Sequence, residues 1–364
     1  MILNKLHIIN YKNIESAELD FSSKINCFLG NNGMGKTNLL DAIYYLSFCK
    51  SASHLPDTQN IRHEQEFFML QGIYEHDAQH EEIYCGMKKR QKKHFKRNKK
   101  EYDKFSDHIG LIPLVMISPD DSELIMGGSD ERRKFLDMVI SQHNKVYLDY
   151  LIRYNKALQQ RNMLLKADAL PEASLFEIWE EQMNSAALFI HNERKLFLES
   201  FTPVFQRYYN QICRGNEQVK LDYQSNLLDG DLTDQLKESR TKDRILGYST
   251  KGIHKDDLIM EIGEYPIKKI GSQGQNKTFL IALKFAQFAY LKTKRISTPI
   301  LLLDDIFDKL DAIRMEEIIK LVAGPDFGQI FITDTNREYL DEIIRKVGSD
   351  YQLFIVSNGD INCI

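Results

Sequence analysis

The run Gly30-Asn31-Asn32-Gly33-Met34-Gly35-Lys36-Thr37 constrains this chain more than any other stretch. It fits the spacing GxxxxGK[ST] at every defined position, between the apolar INCFL at 25–29 and a helical pattern beginning near Lys36. In that context glycines let backbone N–H groups turn inward around phosphate oxygens, and the helix N-terminus adds its partial positive charge. Lys36 would reach the terminal phosphates, and the Thr37 hydroxyl would ligate Mg²⁺.

Such a loop needs an acid at the end of a second buried strand. ILLLDDIFDKLD supplies Asp304 after four apolar residues, with Asp305 next. The first carboxylate is expected to hold the metal, usually through its water, and the second to orient or deprotonate the attacking water. Two adjacent acids repel, so the pair also implies a cation nearby. A third stretch, GSQGQNKTFLIALKFAQ at 271–287, opens a helix with Ser272, Gln273, Gly274 and Gln275. It reads either as a plain helix cap or as a second anion site. If two chains meet about a two-fold axis, each P-loop would face the other chain's Ser272 loop and two nucleotides would be buried between them.

At 364 residues the chain has room for two or three domains. Strands are expected at 3–10, 25–29, 67–75, 81–87 and 111–119, and again at 258–262, 299–304, 329–333 and 352–356, the last group as in a doubly wound sheet. From about 132 to 213 the period becomes helical, with Tyr147, Leu151, Tyr154 and Leu158 on one segment and Phe176, Trp179, Met183, Ala186 and Ile190 on the next. This reads as an αα-hairpin inserted between two α/β halves. The expected divisions are 1–131, 132–245 and 246–364. Helices of at most about 40 residues give an arm of roughly 60 Å.

No apolar run approaches the roughly 18 residues of a membrane span, and MILNKLHIINYKNI lacks the features of a signal peptide. The five cysteines are scattered, without a CxxC pair, which argues against a disulfide framework or a zinc site and for the cytoplasm. Net charge is −4, yet KKRQKKHFKRNKK at 88–100 holds nine basic residues and no acid, so the rest of the chain carries −13. Those nine are Lys88, Lys89, Arg90, Lys92, Lys93, Lys96, Arg97, Lys99 and Lys100, expected on a hairpin turning at Arg97-Asn98. They are candidates for contact with a polyanion's phosphates, as are Arg132, Arg133 and Lys134; a solvated charged edge that protects a sheet is the alternative.

The P-loop with TNLLDAI after it, GSQGQNK, LLLDD and KLD resemble the ATP-binding-cassette heads of the SMC group. INYKNI at 9–14, ISPDDSELIMGGSDERRKFLD at 117–137, YNKALQQRNMLL at 154–165 and GIHKDDL at 252–258 narrow the resemblance to the RecF family of bacterial DNA-repair proteins. It implies an α/β fold: an ABC-type ATPase head of mixed sheets with flanking helices and an inserted helical arm. It further implies an ATP-dependent homodimer that binds single-stranded, gapped or duplex DNA, hydrolyses ATP slowly, and helps place recombinase at gaps with RecO and RecR, with a part in the SOS response.

By position, Gly30 to Thr37 would be Walker A, Asp304 with Asp305 Walker B, Ser272 to Gln275 the signature acting in trans, and Lys309 to Asp311 the D-loop. Lys12 and Asn13 lie where family members approach the nucleotide. Asp305 stands where most cassette ATPases have Glu, and Thr333, Asp334 and Thr335 occupy the place of a transporter's switch histidine. His254 reads as structural. A transporter ATPase subunit, a small-molecule kinase and a nucleotide-gated module that never hydrolyses remain the alternatives.

Overall fold

The computed structural model describes every residue except 54, 77–78, 170, 216, 295–296, 308–309 and 348–349. The described strands are β1 (Ile2–Tyr11), β2 (Ile14–Asp20), β3 (Ile25–Leu29), β4 (Phe67–His76), β5 (Gln79–Lys88), β6 (His94–Arg97), β7 (Lys100–Glu101), β8 (Leu114–Ile117), β9 (Val219–Gln224), β10 (Asp257–Ile262), β11 (Tyr265–Pro266), β12 (Ile300–Asp304), β13 (Ile330–Asp334), β14 (Tyr351–Ser357) and β15 (Asp360–Cys363). The α-helices are α1 (Lys36–Phe48), α2 (Glu123–Met126), α3 (Ser129–His143), α4 (Lys145–Leu165), α5 (Ala173–Cys213), α6 (Leu232–Leu246), α7 (Ile267–Ile270), α8 (Gln273–Lys294), α9 (Ala312–Ala323) and α10 (Arg337–Val347). Residues 1–121, 211–214 and 277–364 form one compact unit; 122–210 and 215–276 form a second.

The first unit holds two sheets. One, in the order β2-β1-β4-β5-β6-β7, is antiparallel throughout. Its strands bury alternate residues, such as Leu6 and Ile8, Phe68 and Leu70, Ile83 and Cys85, as expected of a sheet with one covered face. The other runs β15-β14-β3-β13-β12-β8, parallel from β14 to β8 with β15 antiparallel at the edge. Here LVMI, ILLLD and IFITD are buried at every residue, the pattern of a parallel sheet covered on both faces. Helix α1 packs on strands of both sheets, which is why eleven of its thirteen residues are buried. No helix among the described residues is long and apolar enough to cross a membrane.

The second unit is built on α3 to α6 with the small sheet β11-β10-β9. The segment at 258–262 is a strand, but it pairs with β9 and β11 and not with the parallel sheet, so the doubly wound reading does not extend to it. Strands β2 and β9, and the short β11 and β15, have no counterpart among the expected strands. Helix α5 runs 41 residues, about 60 Å. Met183, Ala186, Ala187 and Ile190 on α5, and Tyr147, Tyr154 and Ala157 on α4, are buried; Leu151 and Leu158, expected on that face, are half-buried.

Two guanidinium groups are fully enclosed in this unit. Arg161 bonds Glu180 at 3.0 Å, Asp243 and Ser249 at 2.7 Å each, and the Leu236 carbonyl at 2.9 Å. Arg194 bonds Asp137 at 2.8 Å and Asp256 at 3.2 Å. His254 is also structural: Nε2 donates to the Ser249 carbonyl at 2.9 Å and Nδ1 accepts from the Tyr154 hydroxyl at 2.7 Å, which fixes the neutral tautomer.

Burial pushes the His254 pKa down to about 4, with Lys255, Arg133 and Arg161 adding to the effect against the Ser249 carbonyl. The native state therefore binds this proton less tightly than the unfolded chain, so the associated stability is full above about pH 6.5 and is lost as pH falls toward 4. The slope is at most about 1.4 kcal/mol per pH unit within that window. Urea melts between pH 7 and pH 5 should show a shallower loss in His254→Gln than in the parent; equal losses would show that another group titrates.

Candidate nucleotide site

Strand β3 delivers the chain into Gly30 at the parallel sheet's C-terminal edge. A β-carbon on Gly30 would lie 2.3 Å from the Val356 carbonyl oxygen of β14, so only glycine lets these strands approach. Asn31, Asn32 and Gly33 are exposed. Gly35 caps α1 at φ 112°, and a side chain there would meet the Asn13 amide at 2.7 Å. The Met34 carbonyl is held by the Asn13 amide at 3.2 Å and the Gly359 N–H at 2.9 Å. Lys36 Nζ donates to the carbonyls of Gly30 at 2.6 Å and Asn31 at 3.1 Å. Burial lowers the Lys36 pKa, opposed by Asp305, Asp304 and Asp334.

Asp304 comes 267 residues after Thr37, yet the Thr37 hydroxyl donates to its Oδ2 at 2.8 Å. The Thr333 hydroxyl donates to Oδ1 at 2.6 Å. Burial raises the Asp304 pKa, while both hydroxyls favour the carboxylate, Asp305 opposes it and Lys36 supports it. Asp305 adopts left-handed backbone, φ 50°, and its N–H donates to the Thr333 carbonyl and hydroxyl at 3.2 Å each. Asp334, one residue after Thr333, is buried: Oδ1 accepts the Asn336 N–H at 2.7 Å and Oδ2 has no hydrogen-bond partner among the described residues. Burial pushes this carboxyl up and Asp305 adds to that, against the Asn336 and Thr335 N–H groups and Lys36.

Lys12 and Asn13 have separate tasks. Lys12 Nζ lies 2.6 Å from Asp41 on α1, and the same carboxylate takes the hydroxyls of Tyr11 and Ser51 and the Ala52 N–H. Asn13 stays at the loop, accepting from Asn38 at 2.7 Å. Asn38 and the Asn358-Gly359 turn behind Met34 were not expected at the site; Asn-Gly between two strands is a hairpin signal that could have placed the latter.

At the start of α8 the Ser272 hydroxyl accepts the Gln275 N–H at 3.2 Å, while the Gln275 side chain accepts the Ser272 N–H at 3.0 Å. This is a reciprocal capping box. Gln275 also donates to Glu217 at 3.0 Å, and Ser272 and Gln273 remain exposed. Gly274 lies in the first turn. These residues belong to the second unit and the P-loop to the first. Of the expected 309–311 loop, Lys309 lies outside the described residues; Asp311 caps α9 by accepting the Arg314 N–H.

The basic stretch forms β6 and β7 with two turns. The second turn is Asn98-Lys99, both at positive φ, one residue later than expected, because a two-residue turn pairing Arg97 with Lys100 needs two left-handed positions. Lys93 donates to the Cys49 carbonyl at 2.5 Å, Asp57 at 2.7 Å and Tyr45 at 3.1 Å. Arg97 is paired with Glu81, and Lys89 with Glu66 at 3.3 Å. Lys96 lies over the Tyr84 ring. Lys88, Arg90, Lys92, Lys99 and Lys100 are exposed, with no carboxylate partner among the described residues. Arg132, Arg133 and Lys134 are paired with Asp257, the Asp256 carbonyl and Glu131.

The first unit thus presents a glycine-rich loop, a lysine, and a hydroxyl beside a buried carboxylate. A hydroxyl and a carboxylate, both hard oxygens, suit Mg²⁺, which keeps several waters and takes further oxygens from phosphate. Among the described residues no group of three or more His, Cys, Asp or Glu could hold a metal by itself.

A family model for the RecF/RecN/SMC N terminal domain matches residues 2–353. Over 363 residues the chain is 62% identical to the DNA replication and repair protein RecF of Bacteroides fragilis (strain YCH46), spanning 100% of this chain and 98% of that one. The RecF of Porphyromonas gingivalis (strain ATCC 33277) is 52% identical over 363 residues, 99% of this chain and 100% of the relative. Among solved structures, the recombination mediator protein RecF-ATP of the RecFOR pathway aligns with TM-score 0.89 at 29% identity, covering 100% of this chain and 97% of that one. An Smc head bound to the C-winged helix domain of ScpA shares the fold, with TM-score 0.61 at 14% identity over 100% of this chain and 97% of that chain. With the loop, the buried acid and full-length identity in agreement, the chain belongs to the RecF family, within the wider RecF/RecN/SMC group.

Proposed function

We propose that this protein is an ATP-gated DNA-binding switch of recombinational repair, dimerising on ATP and reset by slow hydrolysis. The observation that carries this reading is the Thr37–Asp304–Thr333 hydrogen-bond chain beside Lys36. In it Gly30 to Thr37 cradle the phosphates, Lys36 neutralises the terminal ones, and Thr37 with Asp304 hold Mg²⁺. When bound there, Mg²⁺ would supply positive charge to the phosphate oxygens. Asp305 orients the attacking water with a side chain one methylene shorter than glutamate, which fits slow turnover. RecO, RecR, gapped DNA, the SOS response and a cytoplasmic setting come with the family reading.

In the dimer, Ser272 to Gln275 of one subunit complete the other subunit's nucleotide site. The exposure of Ser272 and Gln273 at a helix N-terminus supports this. Ser272→Arg should leave affinity for a fluorescent ATP analogue within about twofold while preventing the ATP-dependent doubling of mass seen by light scattering. A variant that still dimerises would overturn the trans role. Asp305→Asn should bind ATP and dimerise but lose turnover by at least about tenfold, read as phosphate release.

DNA contact is assigned to the unpaired cations of the hairpin turns. Each phosphate contact contributes about −0.9 to the slope of log affinity against log salt on duplex DNA. Lys99→Glu with Lys100→Glu should flatten that slope by about 1 to 2 in a filter-binding series from 50 to 200 mM salt. Lys93→Ala should leave the slope unchanged and instead destabilise the fold by roughly 1–3 kcal/mol, because Asp57 loses its cation and the Cys49 carbonyl loses a hydrogen bond.

A further inference from the structure

Strand β13 lies between β3, which leads into the P-loop, and β12, which ends in Asp304. Its register fixes the place of Asp334. Asp334 pairs with Leu29, and its carbonyl accepts the Gly30 N–H at 3.4 Å; one residue earlier, Thr333 pairs with Asp304 and holds its carboxylate. Asp334 therefore stands on the strand between the first glycine of the loop and the two acids.

The side chain is only 3% exposed. Its Oδ1 is satisfied by the Asn336 N–H, which turns the chain toward α10, but Oδ2 is buried without a hydrogen-bond partner among the described residues. A buried carboxylate oxygen kept unpaired calls for a reason, and a bound ligand is a common one. Among ionisable neighbours, the fields of Asp305 and Lys36 both reach it. These are the groups assigned above to the attacking water and the terminal phosphates.

We propose that Asp334 is a second water-orienting carboxylate of the ATPase step, its free Oδ2 accepting a hydrogen bond from the same water that Asp305 orients. A water held by one acceptor can still rotate about that bond; held by two, both hydrogens are committed and a lone pair is left to point at phosphorus. In the step itself the water oxygen bonds to the terminal phosphorus, and the bond from that phosphorus to the bridging oxygen breaks with its electron pair passing to ADP. The surplus proton departs with phosphate into solvent. Neither carboxylate is consumed. The task suits this chain because Asp305 is short and its backbone N–H is tied to Thr333, so its reach is limited.

This inference rests on the ATPase reading, and the test separates the two. Phosphate release is measured for the wild type, Asp334→Asn, Asp334→Ala, Asp305→Asn and the double variant Asp334→Asn/Asp305→Asn, with ATP-dependent dimerisation and thermal melting on each. Asp334→Asn retains an oxygen for the Asn336 N–H. The expectation is a fall in kcat of at least about tenfold for both Asp334 variants, with KM and the dimer fraction within about twofold. Because both acids act on one water, the double variant should be no slower than Asp305→Asn by more than about threefold. A wild-type kcat in Asp334→Asn would overturn the inference and leave the ATPase reading standing. So would losses that multiply in the double variant, or KM, dimer fraction and melting temperature shifting together with kcat, which would mark a structural role. A wild type without turnover would overturn both.

Discussion

The buried carboxylate of Asp304 organises the first unit. Asp304 is 3% exposed, and a carboxylate in that position is tolerable only if its oxygens are bonded and a positive charge is near. Two hydroxyls and the field of Lys36 meet that condition, and they come from two distant parts of the chain, the P-loop and the end of β13. The strand order β3-β13-β12 follows, because it sets Thr333 directly beside Asp304 in register and leaves the P-loop at the same sheet edge. Apolar burial along ILLLD and IFITD drives the sheet together. The carboxylate sets what stands at its end.

The second unit handles buried charge differently. Arg161 and Arg194 are each surrounded by acids, a hydroxyl and a carbonyl, so α4, α5 and α6 are joined at fixed points rather than only along an apolar seam. Such ion pairs add little net stability compared with well-packed hydrocarbon, but a misregistered helix would strand a charge in the interior. Registry is therefore strongly specified along a 41-residue helix that Met, Ala and Phe contacts alone would let slide.

How much of this the sequence discloses depends on how local each signal is. The P-loop, the strand before it, the helix after it and Asp304 are legible because glycine spacing, apolar runs and a strand-end acid are all features of contiguous residues. The partnership of Thr333 with Asp304 is not, since a threonine at the end of a strand is ordinary until the sheet order is known. The strand at 258–262 is legible as a strand and illegible as to sheet: nothing in LIMEI itself names VKLDYQ, rather than the parallel sheet, as its partner. The Ser272 stretch was open between cap and anion site, and its geometry contains a complete cap while leaving Ser272 exposed.

The basic stretch shows most clearly where composition stops being informative. Nine cations without an acid look like one electrostatic unit, but their counter-charges are supplied from elsewhere: Glu66 for Lys89, Asp57 for Lys93, Glu81 for Arg97. Lys93 is the extreme case. Its ammonium closes the C-terminal end of α1, where carbonyls and the helix dipole favour a cation, and so it serves the helix that carries the P-loop at its other end. What is left exposed sits on the two turns, at Lys88, Arg90 and Lys92 and at Lys99 and Lys100. Charges held on turns are separated by only a few residues of backbone and repel one another unless a polyanion or salt intervenes. The fold thus divides one run of sequence into cations paired within the first unit and cations left on the turns without a carboxylate partner among the described residues.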